Sequence, residues 1–372
     1  MILMNLFLAL ALALLVSTLV LAALVRLAPR AGLMDHPGDR RRIHREAVPR
    51  VGGLAVFAGL LARLMAGPPL TAAEVYGLAG ATLLVLVGAL DDRYQLGPRV
   101  RLVAQVGAAL LLTLGGGVVI ASLGDLLGSG PLALGTLAVP FTLVAVVGLG
   151  NALNMIEGID GLGAGVAVVA SGGLLGSLPA GGALAALLSA TLVALVPYLI
   201  CNLEVGRCRC KVFLGDAGSM LLGYLIVWGL ITASREPGGM APVTALWLVA
   251  LPLTDTLGVM ARRWHQGRHP FSADRGHLHH RLARWLHSPR RALIILLLLA
   301  ALLAGVGLLG QALAWPEALR FGLALALVSG YLWFNQRLPA WHRQRRKKLR
   351  ALAVTAAAPA LPAGQGDPCA DD

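Results

Sequence analysis

Long apolar blocks dominate this sequence and leave little room for any fold outside a membrane. A hydrocarbon core about 30 Å thick needs about 20 apolar residues per helix. Hydrophobic residues make up 57% of the chain and charged residues 13%, whereas a soluble domain averages about 25% charged residues. The sequence predicts an all-α polytopic integral membrane protein with about eleven transmembrane helices in one domain, residues 1–335. The predicted spans are 5–27, 51–66, 74–90, 100–121, 134–153, 162–178, 183–203, 217–233, 242–261, 291–311 and 317–335.

Five polar clusters interrupt these blocks, and each neighbouring pair of clusters is separated by two blocks. All five therefore lie on the same membrane face if every block crosses once. A site built from loops on one side of a bilayer suits chemistry between a membrane-bound substrate and a soluble co-substrate. The loops that carry the clusters are predicted at 29–50, 91–100, 151–161, 204–216 and 262–290.

The distribution of Lys and Arg predicts the orientation. The clustered side, with its adjoining helix ends and the C-terminal tail, holds 26 of the 31 Lys and Arg residues, and the opposite connections hold Arg235. Because cytoplasmic loops carry the excess of positive charge, we expect the clusters and the C-terminus in the cytoplasm and the N-terminus outside. The net charge of +13 reflects this bias, so we expect contact with lipid and no nucleic acid. Residues 336–372 are predicted to form a basic, then disordered, cytoplasmic tail.

Two adjacent carboxylates, Asp91 and Asp92, directly follow the third block. Such a pair can bind a hard cation, or one acid can raise the pKa of the other until it acts as a base. A solvated helix end beside Arg93 and Arg99 is the alternative interpretation.

The connection after the fifth block holds Asn151, Asn154, Glu157 and Asp160, with no Lys or Arg. Its negative charge is uncompensated within the loop, which indicates a cation site. Asp216 is a further acid between glycines at a helix start, where an N-cap is the alternative. Since all these ligands are oxygens, Mg²⁺ is expected rather than zinc, with Mn²⁺ as a possible substitute.

The fifth cluster supplies positive charge, with Arg275, His277, His279 and His280 in six residues. A metal array is one interpretation of the histidines, but no Cys or second His pair accompanies them. We favour hydrogen-bond donors to a diphosphate. A basic loop facing an acidic floor is the arrangement expected for phosphoryl transfer, which depends on positioning and charge neutralisation.

Four of these motifs, in this order, resemble the polyprenyl-phosphate N-acetylhexosamine-1-phosphate transferases over roughly residues 30–285. The spacing His277-Leu278-His279-His280 is similar to the branch that uses UDP-N-acetylglucosamine, whereas three consecutive histidines mark the peptidoglycan branch. Glu157 stands where the family usually carries Asp. The matching motifs are Asp91-Asp92, Asn151-x-x-Asn154-x-x-Glu157-Gly158-x-Asp160-Gly161-Leu162, Phe213-Leu214-Gly215-Asp216-Ala217-Gly218-Ser219 and Pro270-Phe271-Ser272-x-Asp274-Arg275-x-His277-x-His279-His280.

The resemblance implies transfer of N-acetylglucosamine 1-phosphate from its UDP donor to undecaprenyl phosphate in a bacterial inner membrane. It implies Asn154 and Asp216 as Mg²⁺ ligands. Other N-acetyl sugars, including the N-acetylfucosamine and N-acetylquinovosamine donors and phospho-N-acetylmuramoyl-pentapeptide, stay open, as does a homodimer. The resemblance further implies catalytic roles for Asp91, Asp92 and Asp160. It implies substrate-binding roles for Asn151, Glu157, Arg275, His277, His279 and His280.

A secondary transporter or lipid flippase is the rival class, since it also has many spans and functional acids. Transporter sites usually lie near the bilayer midplane in broken helices, often with internal repeats. The acids of this chain lie at predicted cytoplasmic helix ends, and the sequence shows no repeat. These two features favour the enzyme.

Overall fold

The computed structural model describes residues 2–36, 46–65, 69–179, 181–206, 208, 210–236, 238–269 and 276–334. Helices make up most of this part of the chain. Arg275, the segment before it and the whole predicted tail lie outside the described residues. The helices are α1 (Ile2–Ala31), α2 (Gly52–Ala62), α3 (Ala72–Tyr94), α4 (Pro98–Leu110), α5 (Ala138–Ile156), α6 (Leu162–Leu175), α7 (Ala183–Asn202), α8 (Gly215–Arg235), α9 (Pro242–Leu248), α10 (Ala250–His265), α11 (Leu278–Leu286), α12 (Pro289–Ala312) and α13 (Glu317–Phe334).

Seven of the described helices are long and apolar enough to cross a membrane, and α9 with α10 makes an eighth if this pair, bent by 77°, counts as one span. An all-α polytopic membrane protein is therefore confirmed as the fold class. The predicted span boundaries need correction in three places. Blocks 51–66 and 162–178 form the shorter helices α2 and α6, and block 100–121 forms α4 followed by a π-helical turn at Leu111–Gly115.

Helix α8 is the centre of the bundle and packs against α2, α3, α5 and α6. Of its most apolar 18-residue window, 89% is buried, whereas the corresponding fraction of α13 is 6%. Close approach to α2 depends on two glycines, because a Cβ at Gly53 would collide with the backbone of Gly218. The packing of helix α8 thus holds its own first residues, Gly215 and Asp216, in place.

A capping box begins α3. The Thr71 hydroxyl accepts a hydrogen bond from the Glu74 backbone N–H at 3.3 Å, and the Glu74 carboxylate accepts one from the Thr71 N–H at 2.7 Å. This reciprocal pairing satisfies two N–H groups that a helix start leaves free. At about 1.5 Å per residue, the 23 residues of α3 carry Asp91 and Asp92 to the far end of the bundle.

A small antiparallel hairpin, which the sequence did not predict, shapes the first polar loop. Its strands β1 (Met34–Asp35) and β2 (Val48–Pro49) pair Met34 with Pro49. The residues after β2 are hydrogen-bonded to the segment before α8. The Phe213 N–H donates to the Pro49 carbonyl at 2.8 Å, and the Gly52 N–H donates to the Phe213 carbonyl at 3.0 Å. These bonds bring Arg50 beside the start of α8.

Candidate functional site

Three helix ends meet at one end of the bundle and bring together residues from three separate sequence motifs. Asp91 and Asp92 lie in the last turn of α3, Asn154 lies in the last turn of α5, and Asp216 lies in the first turn of α8. We call these four residues the acidic floor. The sequence analysis placed Asn151 and Asn154 in a loop, but both belong to α5, which continues to Ile156. The helix holds their amides in fixed directions.

Asp92 ties α3 to α8. Its Oδ1 accepts a hydrogen bond from the Asp216 N–H at 3.0 Å, and its Oδ2 accepts one from the Ala217 N–H at 3.2 Å. A buried carboxylate from a neighbouring helix thereby caps α8, where the positive end of the helix dipole favours negative charge. Gly215 makes this approach possible because its φ is +77° and any Cβ would collide with the Asp92 carboxylate.

Asp216 and Asp91 share one cation from α4. Arg101 Nη1 lies 3.2 Å from Asp91 Oδ2 and 3.5 Å from Asp216 Oδ1, and Asn154 Nδ2 donates to the same Asp216 oxygen at 2.8 Å. Asp91 is 4% exposed, and its Oδ1 has no hydrogen-bond partner among the described residues. The site therefore has a buried carboxylate oxygen that is free to accept a further ligand.

Two other cations pair with further acids of the site. Lys211 Nζ lies 2.8 Å from Asp160 Oδ2, and Arg50 pairs with Asp35 while its Nη1 lies 3.8 Å from Asp92 Oδ1. The sequence analysis described the charge of residues 151–161 as uncompensated, which is wrong for Asp160. A count within one loop missed Lys211 because it is supplied by a loop about 50 residues later.

A cavity of about 590 Å³ opens beside the acidic floor. The predicted site residues divide between its wall and the protein behind that wall. Asp91, Asn151, His277 and His279 are not in the wall, and Arg275 lies outside the described residues. The wall includes Asp92, Asn154, Glu157, Asp160, Asp216 and His280, together with Arg50 and Lys211.

Glu157, the residue that departs from the family pattern, follows α5 and is partly buried in the cavity wall. Burial, followed by the negative charges of Asp216 and Asp92, raises the pKa of Glu157 well above its ordinary value. A protonated Glu157 is a hydrogen-bond donor. In the absence of a cation, the cavity therefore carries less negative charge than its residue types suggest.

Asn151 makes its contacts away from the cavity. Its Nδ2 donates to Gln105 Oε1 at 2.9 Å and to the Val147 carbonyl at 2.8 Å, and Gln105 Nε2 lies 3.4 Å from Asn151 Oδ1. This amide pair connects α5 to α4. It positions α5, which carries Asn154, against α4, which carries Arg101. The described contacts of Asn151 are therefore structural.

The histidine segment, residues 277–280, begins α11. His277 and His279 are 5% and 1% exposed, whereas His280 reaches the cavity wall. Neither ring nitrogen of His279 has a hydrogen-bond partner among the described residues. Burial and the neighbouring His280 lower the pKa of His279 to about 3. His279 is therefore neutral at physiological pH, and it packs against Gly158, where a Cβ would collide with its Nε2.

Asp255 and Tyr331 join this segment and were missed in the sequence analysis. His277 Nδ1 lies 2.9 Å from Asp255 Oδ2, and Tyr331 donates its hydroxyl to Asp255 Oδ1 at 2.8 Å. Asp255 had a signal in the sequence, because it is an acid inside the predicted span 242–261 and such residues are costly without a partner. Arg101 and Lys211 were counted only as charges that set orientation.

The donor set of the acidic floor fits a hard divalent cation. Carboxylates and the amide of Asn154 meet there, and a positively charged guanidinium already lies between two of the carboxylates. Asp91 keeps one buried oxygen without a partner among the described residues. Mg²⁺ typically binds one or two carboxylates and completes its coordination with water or phosphate oxygens. Asp216 and Asn154 are the residues that would hold it, with Asp91 beside them.

Comparison with known proteins agrees with the resemblance of the motifs. Residues 75–234 match the model of glycosyl transferase family 4. Three relatives carry the name undecaprenyl-phosphate alpha-N-acetylglucosaminyl 1-phosphate transferase. The relative from Yersinia pestis is 39% identical over 313 residues, which are 82% of this chain and 85% of that protein.

The relative from Escherichia coli K12 is 38% identical over 79% of this chain and 81% of its own length. The relative from Haemophilus influenzae is 33% identical over 86% of this chain and 92% of its own length. These alignments extend well beyond the region that matches the family model, so the similarity covers the membrane domain rather than one motif. The chain belongs to glycosyl transferase family 4.

Proposed function

We propose that this protein transfers N-acetylglucosamine 1-phosphate from UDP-N-acetylglucosamine to undecaprenyl phosphate. The products are undecaprenyl-diphospho-N-acetylglucosamine and UMP, and the reaction is the first membrane step of O-antigen or other cell-surface polysaccharide synthesis. The observation that carries this proposal is the meeting of Asp91, Asn154 and Asp216 beside a cavity at one end of the bundle. The names and identities of the relatives support the donor and the acceptor.

In the proposed reaction, an oxygen of undecaprenyl phosphate attacks the phosphorus that bears the sugar, and the bond from that phosphorus to the UMP oxygen breaks. A Mg²⁺ ion held by Asp216 and Asn154 would supply charge neutralisation for the diphosphate. Asp91, with its buried free oxygen, orients the acceptor phosphate or accepts its proton. Asp92 supports the site by holding the first turn of α8 in place.

The donor diphosphate is proposed to lie between the acidic floor and the histidine segment. His280 in the cavity wall and Lys211, which is paired with Asp160, are positioned to contact its oxygens. Arg275 is expected to add a donor from the adjoining segment. Cationic and imidazole donors on one side and carboxylates on the other place opposite charges around a phosphoryl group, as such transfer requires.

We further propose eleven crossings of the bacterial inner membrane, with the N-terminus outside and the active site in the cytoplasm. The antiparallel arrangement of the helix ends supports this topology, because α3 and α5 end where α8 begins. A reporter fused after residue 345 is expected in the cytoplasm, and one inserted between residues 122 and 133 is expected in the periplasm. If either reporter is found on the opposite side of the membrane, the count of eleven crossings is wrong.

The direct test of function is reconstitution of the purified protein in liposomes with undecaprenyl phosphate and labelled UDP-sugars. We expect a lipid-linked product and UMP from UDP-N-acetylglucosamine in the presence of Mg²⁺, and loss of the product with EDTA. A higher kcat/KM with UDP-N-acetylfucosamine or UDP-N-acetylquinovosamine would identify that sugar nucleotide as the donor instead. Movement of undecaprenyl phosphate across the bilayer without sugar transfer would favour a flippase and refute the enzyme.

A further inference from the structure

The last helix of the bundle reaches the histidine segment through one buried carboxylate. Asp255 of α10 is 2% exposed, and three groups surround it. Its Oδ2 lies 2.9 Å from His277 Nδ1, and its Oδ1 accepts the backbone N–H of Leu278 and the hydroxyl of Tyr331, both at 2.8 Å. Because a buried charge without partners is costly, this set of bonds specifies where α10, α11 and α13 meet.

The bonds to Asp255 determine the position of the first turn of α11. His277 is the N-cap residue of that helix, yet its own side chain makes no capping bond. Asp255 accepts the Leu278 N–H from outside the helix and so satisfies one of the N–H groups that a helix start leaves unpaired. The same carboxylate accepts from His277 Nδ1 when that nitrogen carries a proton.

Ring contacts continue from His277 to the cavity. His277 stacks on His279 with ring centroids 5.5 Å apart and an interplanar angle of 17°, and the His279 ring centre lies 4.2 Å from that of His280. His280 lines the cavity. A displacement of His277 therefore moves the two rings that lie between Asp255 and the proposed donor diphosphate.

A metal site is a weaker interpretation of the same residues. Ligand-type atoms of Asp255, His277 and His279 all lie within 4.8 Å of one another. However, both oxygens of Asp255 already accept hydrogen bonds from protein groups. A metal would have to displace them.

We propose that Asp255 and Tyr331 are positioning residues, which act through His277 to hold His280 in the geometry that binds the UDP-sugar diphosphate. This inference rests on the proposed function. It gives helix α13 a specific role, since Tyr331 fixes the carboxylate that orients the histidines. Neither residue touches substrate in this proposal.

The test is steady-state kinetics of the full-length protein in detergent, with UDP-N-acetylglucosamine and undecaprenyl phosphate varied separately. Asp255→Asn keeps the side-chain shape but replaces the acceptor that faces His277 with a donor or a neutral oxygen. We expect kcat/KM for the UDP-sugar to fall about 10- to 150-fold, the effect of losing one contact to a charged group. The KM for undecaprenyl phosphate should stay unchanged.

Two comparisons separate positioning through His277 from a general loss of structure. In a His277→Ala background, Asp255→Asn should change donor kcat/KM by less than about twofold, because coupled residues are non-additive. Tyr331→Phe, which removes one hydroxyl, should lower it by about two- to tenfold. Tyr224→Phe is the matched control, since that buried hydroxyl lies 3.5 Å from the Ala108 carbonyl, away from the histidine segment, and should leave kinetics unchanged.

The inference is overturned by wild-type donor kcat/KM in Asp255→Asn, by additive losses in the His277→Ala background, or by an equal rise of KM for both substrates. It is also overturned if elemental analysis finds a stoichiometric transition metal that Asp255→Asn removes. If Asp255→Asn does not fold, Tyr331→Phe combined with His277→Ala decides by the same non-additivity. Absence of transfer by the wild-type protein would instead refute the proposed function.

Discussion

The acidic floor and the histidine segment lie on either side of one cavity and manage charge in opposite ways. The carboxylates of the floor are compensated by Arg101 and Arg50, which come from other elements of the chain. In the histidine segment, His279 is buried without a hydrogen-bond partner among the described residues, and its lowered pKa keeps it neutral. The floor therefore holds compensated charge, whereas the histidine segment holds a buried neutral ring beside His280, which lines the cavity.

This difference explains how the two walls would respond to substrate. A cation that enters the floor has to compete with Arg101, which already lies between Asp91 and Asp216. A phosphate that reaches the histidine segment meets His280 in the cavity wall, with the buried ring of His279 packed behind it. We therefore expect changes in the floor to alter the dependence on metal, and changes in the histidine segment to alter the dependence on the UDP-sugar.

The largest effect is expected for Asp216→Asn, which removes the charge to which Arg101 and Asn154 bind. Turnover should fall by more than about 100-fold, since the contacts of Asp216 with Arg101 and with the proposed Mg²⁺ are both weakened, at about 1.5 to 3 kcal/mol each. Activity is measured in liposomes across a Mg²⁺ titration. Asp125→Asn, in the loop at the other end of the bundle, is the control and should be active. More than a tenth of wild-type turnover at saturating Mg²⁺ would remove Asp216 from the metal site.

His279→Ala should lower kcat/KM for UDP-N-acetylglucosamine by about 10- to 150-fold without changing the Mg²⁺ requirement. The reason is that the His279 ring packs between His277 and His280, so alanine removes the support of the ring that lines the cavity. The measurement is donor saturation at several Mg²⁺ concentrations. Restoration of the rate by added metal, with no effect of donor saturation, would identify the histidines as metal ligands instead.

A smaller effect is expected for Arg101→Gln, and its direction shows whether Arg101 competes with the cation of the acidic floor. Removing a cation that competes for Asp91 and Asp216 should lower the Mg²⁺ concentration for half-maximal activity. Because Arg101 is about one-third exposed, with 32% of its side chain accessible, the change should be only about two- to fivefold. Arg99→Gln, two residues earlier in α4, is the control. A higher Mg²⁺ requirement in Arg101→Gln would show that Arg101 supports cation binding rather than opposing it.

The smallest effect concerns stability at acid pH. The unfolded chain binds a proton at His279 below about pH 6.5, whereas in the folded protein the pKa of His279 is lowered to about 3. The stabilisation is therefore complete above the unfolded pKa and is lost as pH falls towards the folded one, at about 1.4 kcal/mol per pH unit.

Wild-type protein should lose about 2 kcal/mol of unfolding free energy between pH 7.5 and pH 5 that His279→Gln does not lose. Thermal unfolding in detergent at the two pH values measures this difference. His265→Gln changes an exposed histidine at the end of α10 and should behave as the wild type. Equal acid sensitivity in His279→Gln would mean that His279 is protonated in the folded protein.

The position of the acidic floor could be predicted from the sequence, whereas the roles of its residues stay predictions. Asp91, Asp92, Asn154 and Asp216 were recognised because polar residues at the end of an apolar block are costly unless they have a purpose, and the structure brings all four together. Roles within the group were harder to predict. Asp92 has the geometry of a cap for α8, and Asn151 has that of a helix connector, because only the packed structure decides which side of a helix faces a neighbour.

The length and spacing of the apolar blocks determined by themselves that this chain is a helical membrane protein, since a bilayer admits few other folds. The order of the motifs likewise determined the family. Only the tertiary structure decided which cation meets which carboxylate, because Arg101, Lys211, Asp255 and Tyr331 reach their partners across 10 to 115 residues of sequence. Such contacts depend on how helices turn and bend against one another, and hydropathy contains no information about those angles.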